Sequence, residues 1–211
     1  MRIMRAEGLE KVTMRRLAQE LDTGAASLYV YLANTAELHA AVLDALLGEV
    51  ALAPDGDRDG GGDGDWRARL VATLTSYTLV LFRHPQLARS ALVARPSGPN
   101  YLRLVDRILI LLAQGGADRA QAAWGVDKLL QEATAAAAEH SARDRDPHAR
   151  EDWDALVRAL HAVDATTHPG ISAHLPELLS GPVGARLDWG FQVVISGILA
   201  TPVPQSDPTG E

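Results

Sequence analysis

Residues 13–38, TMRRLAQELDTGAASLYVYLANTAEL, hold the side chains best suited to work on a polyanion. Arg15 and Arg16 can pair with phosphate or with the acceptor edge of guanine. Tyr29 and Tyr31 bring hydroxyls that can reach phosphate oxygens. Ala25, Ala26 and Val30 offer no hydrogen bonds, but their methyl groups can meet thymine methyls. Thr13 stands where a helix would begin, and the free amides of that first turn can hold one more phosphate. Together these groups could grip and read a nucleic-acid duplex. The plainer alternative is that they decorate the surface of a small helical bundle.

The rest of the chain offers no catalytic constellation. His39, His84, His140, His148, His161, His168 and His174 include no i, i+4 pair of metal-binding type. No serine sits in a nucleophile elbow and no glycine-rich phosphate loop follows a strand pattern. The absence of cysteine removes disulfides, thiol catalysis and cysteine-based zinc sites. Asp55, Asp57, Asp59, Gly60 and Asp63 mimic the first positions of a calcium loop, but Trp66 stands where a bidentate glutamate is needed. A solvated linker is the expectation there. No enzyme, metal or cofactor is expected.

The elements that would position the candidate residues are all helical. Thr13 can cap a helix carrying Leu17, Ala18 and Leu21 on one face. Asp22 tolerates the left-handed conformation that a tight turn can require. A second helix opens at about Gly24 and buries Leu28 and Leu32, leaving Ala25, Ala26, Tyr29, Val30 and Tyr31 largely outward. Asn34 and Glu37 form a capping-box pattern for a helix over 34–52, striped by Leu38, Val42, Leu46 and Val50. Residues 54–65 are polar, acidic and glycine-rich, a flexible loop by composition.

Beyond it, Trp66, Leu70, Leu74, Tyr77 and Leu81 mark a helix ending at His84-Pro85. A shorter helix runs to about Ala94, and further helices span 101–112 and 118–142, with Asp118 and Gln121 as the second cap pattern. Another helix covers 149–163, with Trp153, Leu156, Val157 and Leu160 inward. Residues 168–182 read as irregular with one turn near 175–179. Pro182 suits the start of the last helix, which carries Leu187, Phe191, Val194, Ile195 and Ile198. No strand pattern is convincing, so the expected fold is all-α. Residues 201–211 read as a tail. No apolar run approaches the ~18 residues of a membrane span, so a cytoplasmic protein with no membrane partner is expected.

The order T-x-x-x-L-A-x-x-L-x-x-x-x-x-S-L-Y-x-Y-L-x-N-x-x-E-L resembles the N-terminal domain of the TetR family of transcriptional regulators, densely over residues 5–45. Trp66, the His84-Pro85 break and the closing helix RLDWGFQVVISGIL extend the likeness by helix order. The resemblance implies a helix-turn-helix DNA-binding domain over 1–50, the loop 51–65, and a helical ligand-binding and dimerisation domain over 66–200. It implies contacts to double-stranded operator DNA from Thr13, Arg15, Arg16, Gly24, Ala25, Ala26, Tyr29, Val30 and Tyr31. It also implies a small-molecule effector pocket, for which Tyr77, Leu81, Tyr101, Leu104, Trp124, Gln131 and Trp153 are candidate lining residues. Glu132 and His140 are weaker candidates as polar anchors. A homodimer would form through Trp153, Leu156, Leu160, Gly190, Phe191, Val194, Gly197 and Ile198, with Gly190 and Gly197 admitting a partner helix closely.

Three departures from the family pattern stand out. Asp22 occupies the turn where glycine is usual, and Thr35 replaces a lysine that would contact phosphate. The chain also opens at Met1-Arg2-Ile3-Met4, most of the way along the family's first helix, so reduced apolar cover for the recognition unit is expected. Net charge is −7, and residues 1–50 hold five basic against seven acidic side chains. Few phosphates can be neutralised, and a modest salt dependence follows. The rival expectation is an all-α ligand-binding protein of the same fold that has lost DNA binding.

Overall fold

The computed structural model describes residues 2–52, 66–84, 88, 91 and 96–204, and all regular structure among them is helical. The expected 54–65 loop with its calcium-like spacing lies outside the described residues. So do the tail from 205 and, apart from Ala88 and Ala91, the short helix expected up to Ala94.

Helix α1 (Arg2–Glu7) is followed by a 3-10 turn, Leu9–Lys11. Helices α2 (Met14–Glu20) and α3 (Ala25–Leu28) come next, then α4 (Thr35–Leu47). Short as α1 is, Ile3 and Met4 are buried together with Leu9, Val12, Met14, Ala18, Leu28 and Leu38. The Nε2–H of His39 donates to the Val12 carbonyl at 2.9 Å, since a carbonyl can only accept, and ties α4 to the turn after α1. The Asn34 side chain caps α4 by accepting from Glu37 N at 2.9 Å. Glu37 returns its bond to Ala33 N, one residue earlier than a reciprocal box requires.

The second body comprises α5 (Trp66–Arg83), α6 (Pro99–Gln114), α7 (Arg119–Arg143), α8 (Ala149–His161), α9 (Pro169–Leu178) and α10 (Val183–Ala200). Asp118 and Gln121 do form a complete capping box at the start of α7. Leu70, Leu74 and Leu81 of α5 meet Leu104, Ile108 and Leu111 of α6, Leu129 and Ala133 of α7, and Phe191 and Ile195 of α10 in one apolar core. Helix α6 ends at Gly115-Gly116, where Gly116 takes φ 85 and Ala117 N bonds back to Leu112 O at 3.1 Å. That left-handed closing turn is the role glycine fills without steric cost.

Two expectations need correction. Residues 169–178 are helical, because Pro169 occupies the first turn, where its missing N–H would be unpaired in any case. The inward face expected for 149–163 is not inward: α8 buries no residue, and Trp153 and Leu156 are each 48% exposed. Its apolar stripe exists, but the surface that would cover it is not supplied by the described part of this chain.

Candidate nucleic-acid interface

The N-terminal unit is assembled by local chemistry. Thr13 adopts extended backbone and its Oγ1 accepts from Arg16 N at 3.2 Å, fixing the start of α2. The turn closes through Thr23 N to Ala18 O at 2.9 Å, with Asp22 at φ 49, the left-handed value its short polar side chain tolerates. Gly24, at φ −76, then caps α3 with open space around it. A single α-turn follows, extended by bonds from Tyr31 N and Leu32 N to Leu28 O, each 3.0 Å.

Leu28 anchors this segment by burial, and the residues after it face water. Tyr29 is 56% exposed, Val30 79% and Tyr31 81%. Ala26 is exposed and Ala25 half-buried. Three consecutive large apolar or aromatic side chains left in solvent on a two-helix corner are unusual for packing and suited to a groove. Ser27, also exposed on α3, is the one residue of that helix with a hydroxyl for a base edge; the sequence reasoning passed over it in favour of the methyl groups.

The two arginines are not equivalent. Arg15 is exposed and has no partner among the described residues. Arg16 Nη2 sits 2.8 Å from Glu7 Oε1, and its Nη1 lies 3.8 Å from Glu20 Oε2. The Glu7 hydrogen bond, followed by the Glu7 charge, raises the Arg16 pKa still further. Arg2 pairs with the same Glu20. Arg16 therefore braces α1 against α2, while Arg15, like Lys11, has no partner among the described residues.

Among the described residues, no one cavity is lined by all seven candidate pocket residues. Tyr77, Leu81 and Leu104 are in the core. The Tyr77 hydroxyl lies 2.8 Å from Thr134 Oγ1, and burial pushes its pKa up to about 12. Tyr101 is half-buried at the start of α6. Trp124 and Gln131 instead line a groove of about 540 Å³ between α7 and α10, with Lys128, Ile198 and Val203. Trp153 borders a separate hollow of about 370 Å³ with Arg143 and Asp152. Aromatics at helical spacing mark core and surface seam alike, which is why the sequence merged them. Of the weaker anchors, Glu132 also lines the α7–α10 groove, and the His140 ring stacks on Phe82 at 4.3 Å.

The dimer candidates divide similarly. Phe191 is fully buried within the protomer, so its place on an intermolecular face is corrected: it faces the core formed with α5 and α7. Gly190, Val194 and Ile198 are half-buried along the α7–α10 seam, Gly197 is exposed, and Leu160 is half-buried on α8. The close helix approach falls at Gly125, where an added Cβ would lie 2.9 Å from Ile198 Cγ2. Sequence reasoning missed two exposed apolar residues on α10, Trp189 at 69% and Val193 at 48%; Trp124, read as pocket, is 57% exposed. No group of three metal-ligating side chains is found among the described residues, and no helix among them is long and apolar enough to cross a membrane.

Comparison with known proteins agrees with this geometry. The family described as "Tetracyclin repressor-like, C-terminal domain" matches residues 60–201. The HTH-type transcriptional repressor DrrR1 of Streptomyces coeruleorubidus is 31% identical over 200 residues, covering 92% of this chain and 72% of that one. SCO7704 of Streptomyces coelicor, a candidate transcription regulator of solved structure, is 63% identical with a TM-score of 0.75, over 98% of this chain and 93% of that one. ActR of Streptomyces coelicolor, solved with actinorhodin, is 35% identical with a TM-score of 0.79, over 94% of this chain and 90% of that one. A helix-turn-helix corner built on Thr13, Asp22 and Leu28, followed by a matched C-terminal body, has one consistent reading: the chain belongs to the TetR family of transcriptional regulators.

Proposed function

We propose that the protein is a homodimeric repressor that binds operator DNA through α2 and α3 and is released by a small-molecule effector held in the C-terminal body. The observation that carries this reading is the exposed Tyr29-Val30-Tyr31 run on a corner whose neighbours are fixed by the Thr13 cap and the Asp22 turn. Arg15 supplies the phosphate contact, with the tyrosine hydroxyls and the N-terminal amides of α2 beside it. Ser27, Ala26 and Val30 face the bases. With so few direct hydrogen bonds, sequence preference leans on methyl contacts and duplex shape. The chain divides into a DNA-reading unit over 1–50 and an effector and dimer unit over 66–200.

Two copies pair through α7 and α10, where Trp124, Trp189 and Val193 are left in solvent, with α8 covered in the same assembly. The effector is a small molecule held among the helices of the C-terminal body, in keeping with the structure of ActR in complex with actinorhodin. It acts only if it prefers one spacing of the two DNA-reading units over the other.

The test is fluorescence anisotropy of the full chain with a fragment of its own upstream intergenic DNA, titrated at two salt concentrations. Saturable binding that survives nonspecific competitor is expected. Weak, competitor-sensitive binding would instead favour a DNA-blind protein of the same fold, a reading favoured by the engagement of Arg16 with Glu7 and Glu20.

A further inference from the structure

Helix α4 runs out of the DNA-reading corner and carries a buried carboxylate, Asp44, only 7% exposed among Leu43, Leu46 and Leu47. A buried charge must find partners to be tolerated. Here they are the donors at the start of α6. Asp44 Oδ1 accepts from Tyr101 N at 2.9 Å, and Oδ2 accepts from Asn100 Nδ2 at 3.2 Å and from Asn100 N at 3.4 Å. Those amides belong to the first turn, whose partial positive charge suits an anion.

Normally a helix's own N-cap side chain fills this role. The N-cap of α6 is Gly98, which has no side chain and makes no cap bond. Its φ of −78 is open to any residue, so glycine is not there for backbone freedom. It is there for space: a Cβ on Gly98 would sit 2.2 Å from Asp44 Cγ, and its three nearest neighbours are all Asp44 carboxylate atoms. The cap of α6 has thus been moved onto another helix. The segment after α4 makes a second tie, where Ala51 N donates to Ser76 Oγ at 2.8 Å and Arg83 faces Glu49 at 3.6 Å. These are exposed contacts, and the Asp44 contact is the buried one.

We propose that Asp44 is the positioning residue that fixes the angle of the DNA-reading unit on the C-terminal body, by holding the first turn of α6 from α4. Helix α6 carries Leu104, Ile108, Leu111 and Leu112 into the core, so a shift of that helix moves the Asp44 contact and with it α4. This deepens the regulator reading and rests on it.

The test separates a tie from a cap. Asp44→Ala removes both functions. Asp44→Ala combined with Gly98→Ser gives α6 a local N-cap in the space the carboxylate vacates, so the cap returns and the tie does not. The chain lacks cysteine, so spin labels on Gln19→Cys and Ala120→Cys, both exposed, report the α2–α7 distance in full-length protein diluted with unlabelled chains. The double variant should melt with the wild type yet show a broadened or displaced distance distribution. Its affinity for the upstream DNA fragment should fall about tenfold, within the usual range of coupling between sites. An unchanged distribution would overturn the proposal and leave Asp44 as a cap alone. Should the double variant fail to fold, Asp44→Asn, which keeps the shape and loses the charge, carries the same measurement. Failure of the wild type to bind the fragment would count against the regulator reading, while the distance distribution would still judge Asp44.

Discussion

Arg15 and Arg16 are adjacent in sequence, yet only Arg16 is held by glutamates, and the proposed function gives the two opposite parts in DNA binding. Each phosphate neutralised by a cation contributes about 0.9 to the slope of log K against log salt on duplex DNA. A two-fold dimer presents Arg15 twice, so Arg15→Ala should lower that slope by about 1.8. Over a fourfold rise in salt, the wild type should then lose about twelvefold more affinity than Arg15→Ala. Arg16 Nη2 is held 2.8 Å from Glu7, in a pair that a phosphate would have to displace. Arg16→Ala should therefore leave the slope unchanged and loosen α1 from α2, seen as faster amide exchange at Ile3 and Met4. The assay is anisotropy with the upstream fragment at four or more salt concentrations. A slope lowered equally by both substitutions would refute the distinction, because Arg16 would then leave Glu7 for the duplex. A slope lowered by neither would remove Arg15 from the interface.

Other consequences are open to measurement. Tyr77→Phe strands the buried Thr134 hydroxyl and should cost about 1–3 kcal/mol in urea unfolding, whereas adding Thr134→Val should recover much of the loss; equal costs for the single and double variants would count against the 2.8 Å bond. The folded-state pKa of Tyr77 is raised from 10.0 to about 12, so its contribution is complete below pH ~10 and is lost as pH rises toward ~12, amounting to roughly 3 kcal/mol. Tyr77→Phe should flatten that alkaline loss. Gly125→Ala should be near neutral, since a helix-propensity gain of about 1 kcal/mol opposes the crowding of Ile198, while Gly125→Leu should cost about 1–3 kcal/mol by overpacking. Val193→Asp should change protomer stability by under about 0.5 kcal/mol yet shift sedimentation toward monomer; an unchanged dimer would move the interface off this face of α10.

The helix-turn-helix corner was legible because its determinants are local. Thr13, Asp22 and Asn34 act within three or four residues of themselves, and each was found doing what its chemistry allows. The helices of the C-terminal body were legible from their apolar spacing, apart from α9, which starts at Pro169 and holds Pro176 within it and was expected to be irregular. What the sequence could not show is which apolar face meets which. Trp124, Trp153 and Tyr77 look alike as aromatics on helices, and only packing separates core from seam from exposed arm. Asp44 was equally hidden. Read along the chain it is one more acid in an acidic unit, and its partners at Asn100 and Tyr101 lie 56 and 57 residues away.

The acidic balance of residues 1–50 and the exposed apolar faces of α7 and α10 bear on the same equilibrium. Of the five basic residues in that segment, Arg2 and Arg16 are paired with glutamates, so one DNA-reading unit can grip few phosphates. A single unit with so small an electrostatic contribution would bind at the weak, nonspecific end of the range. Linking two such units on a rigid two-fold frame makes the second half-site contact effectively intramolecular and multiplies the affinity without any new contact. That gain exists only when the frame holds the units at the spacing of the half-sites, one helical turn or a multiple of it. In the proposed dimer, a weakly basic reader would thus be unusually dependent on the pairing and on the angle of α4. Such dependence suits regulation, because a small change in α6 can then cost most of the bivalent advantage while every individual DNA contact remains intact.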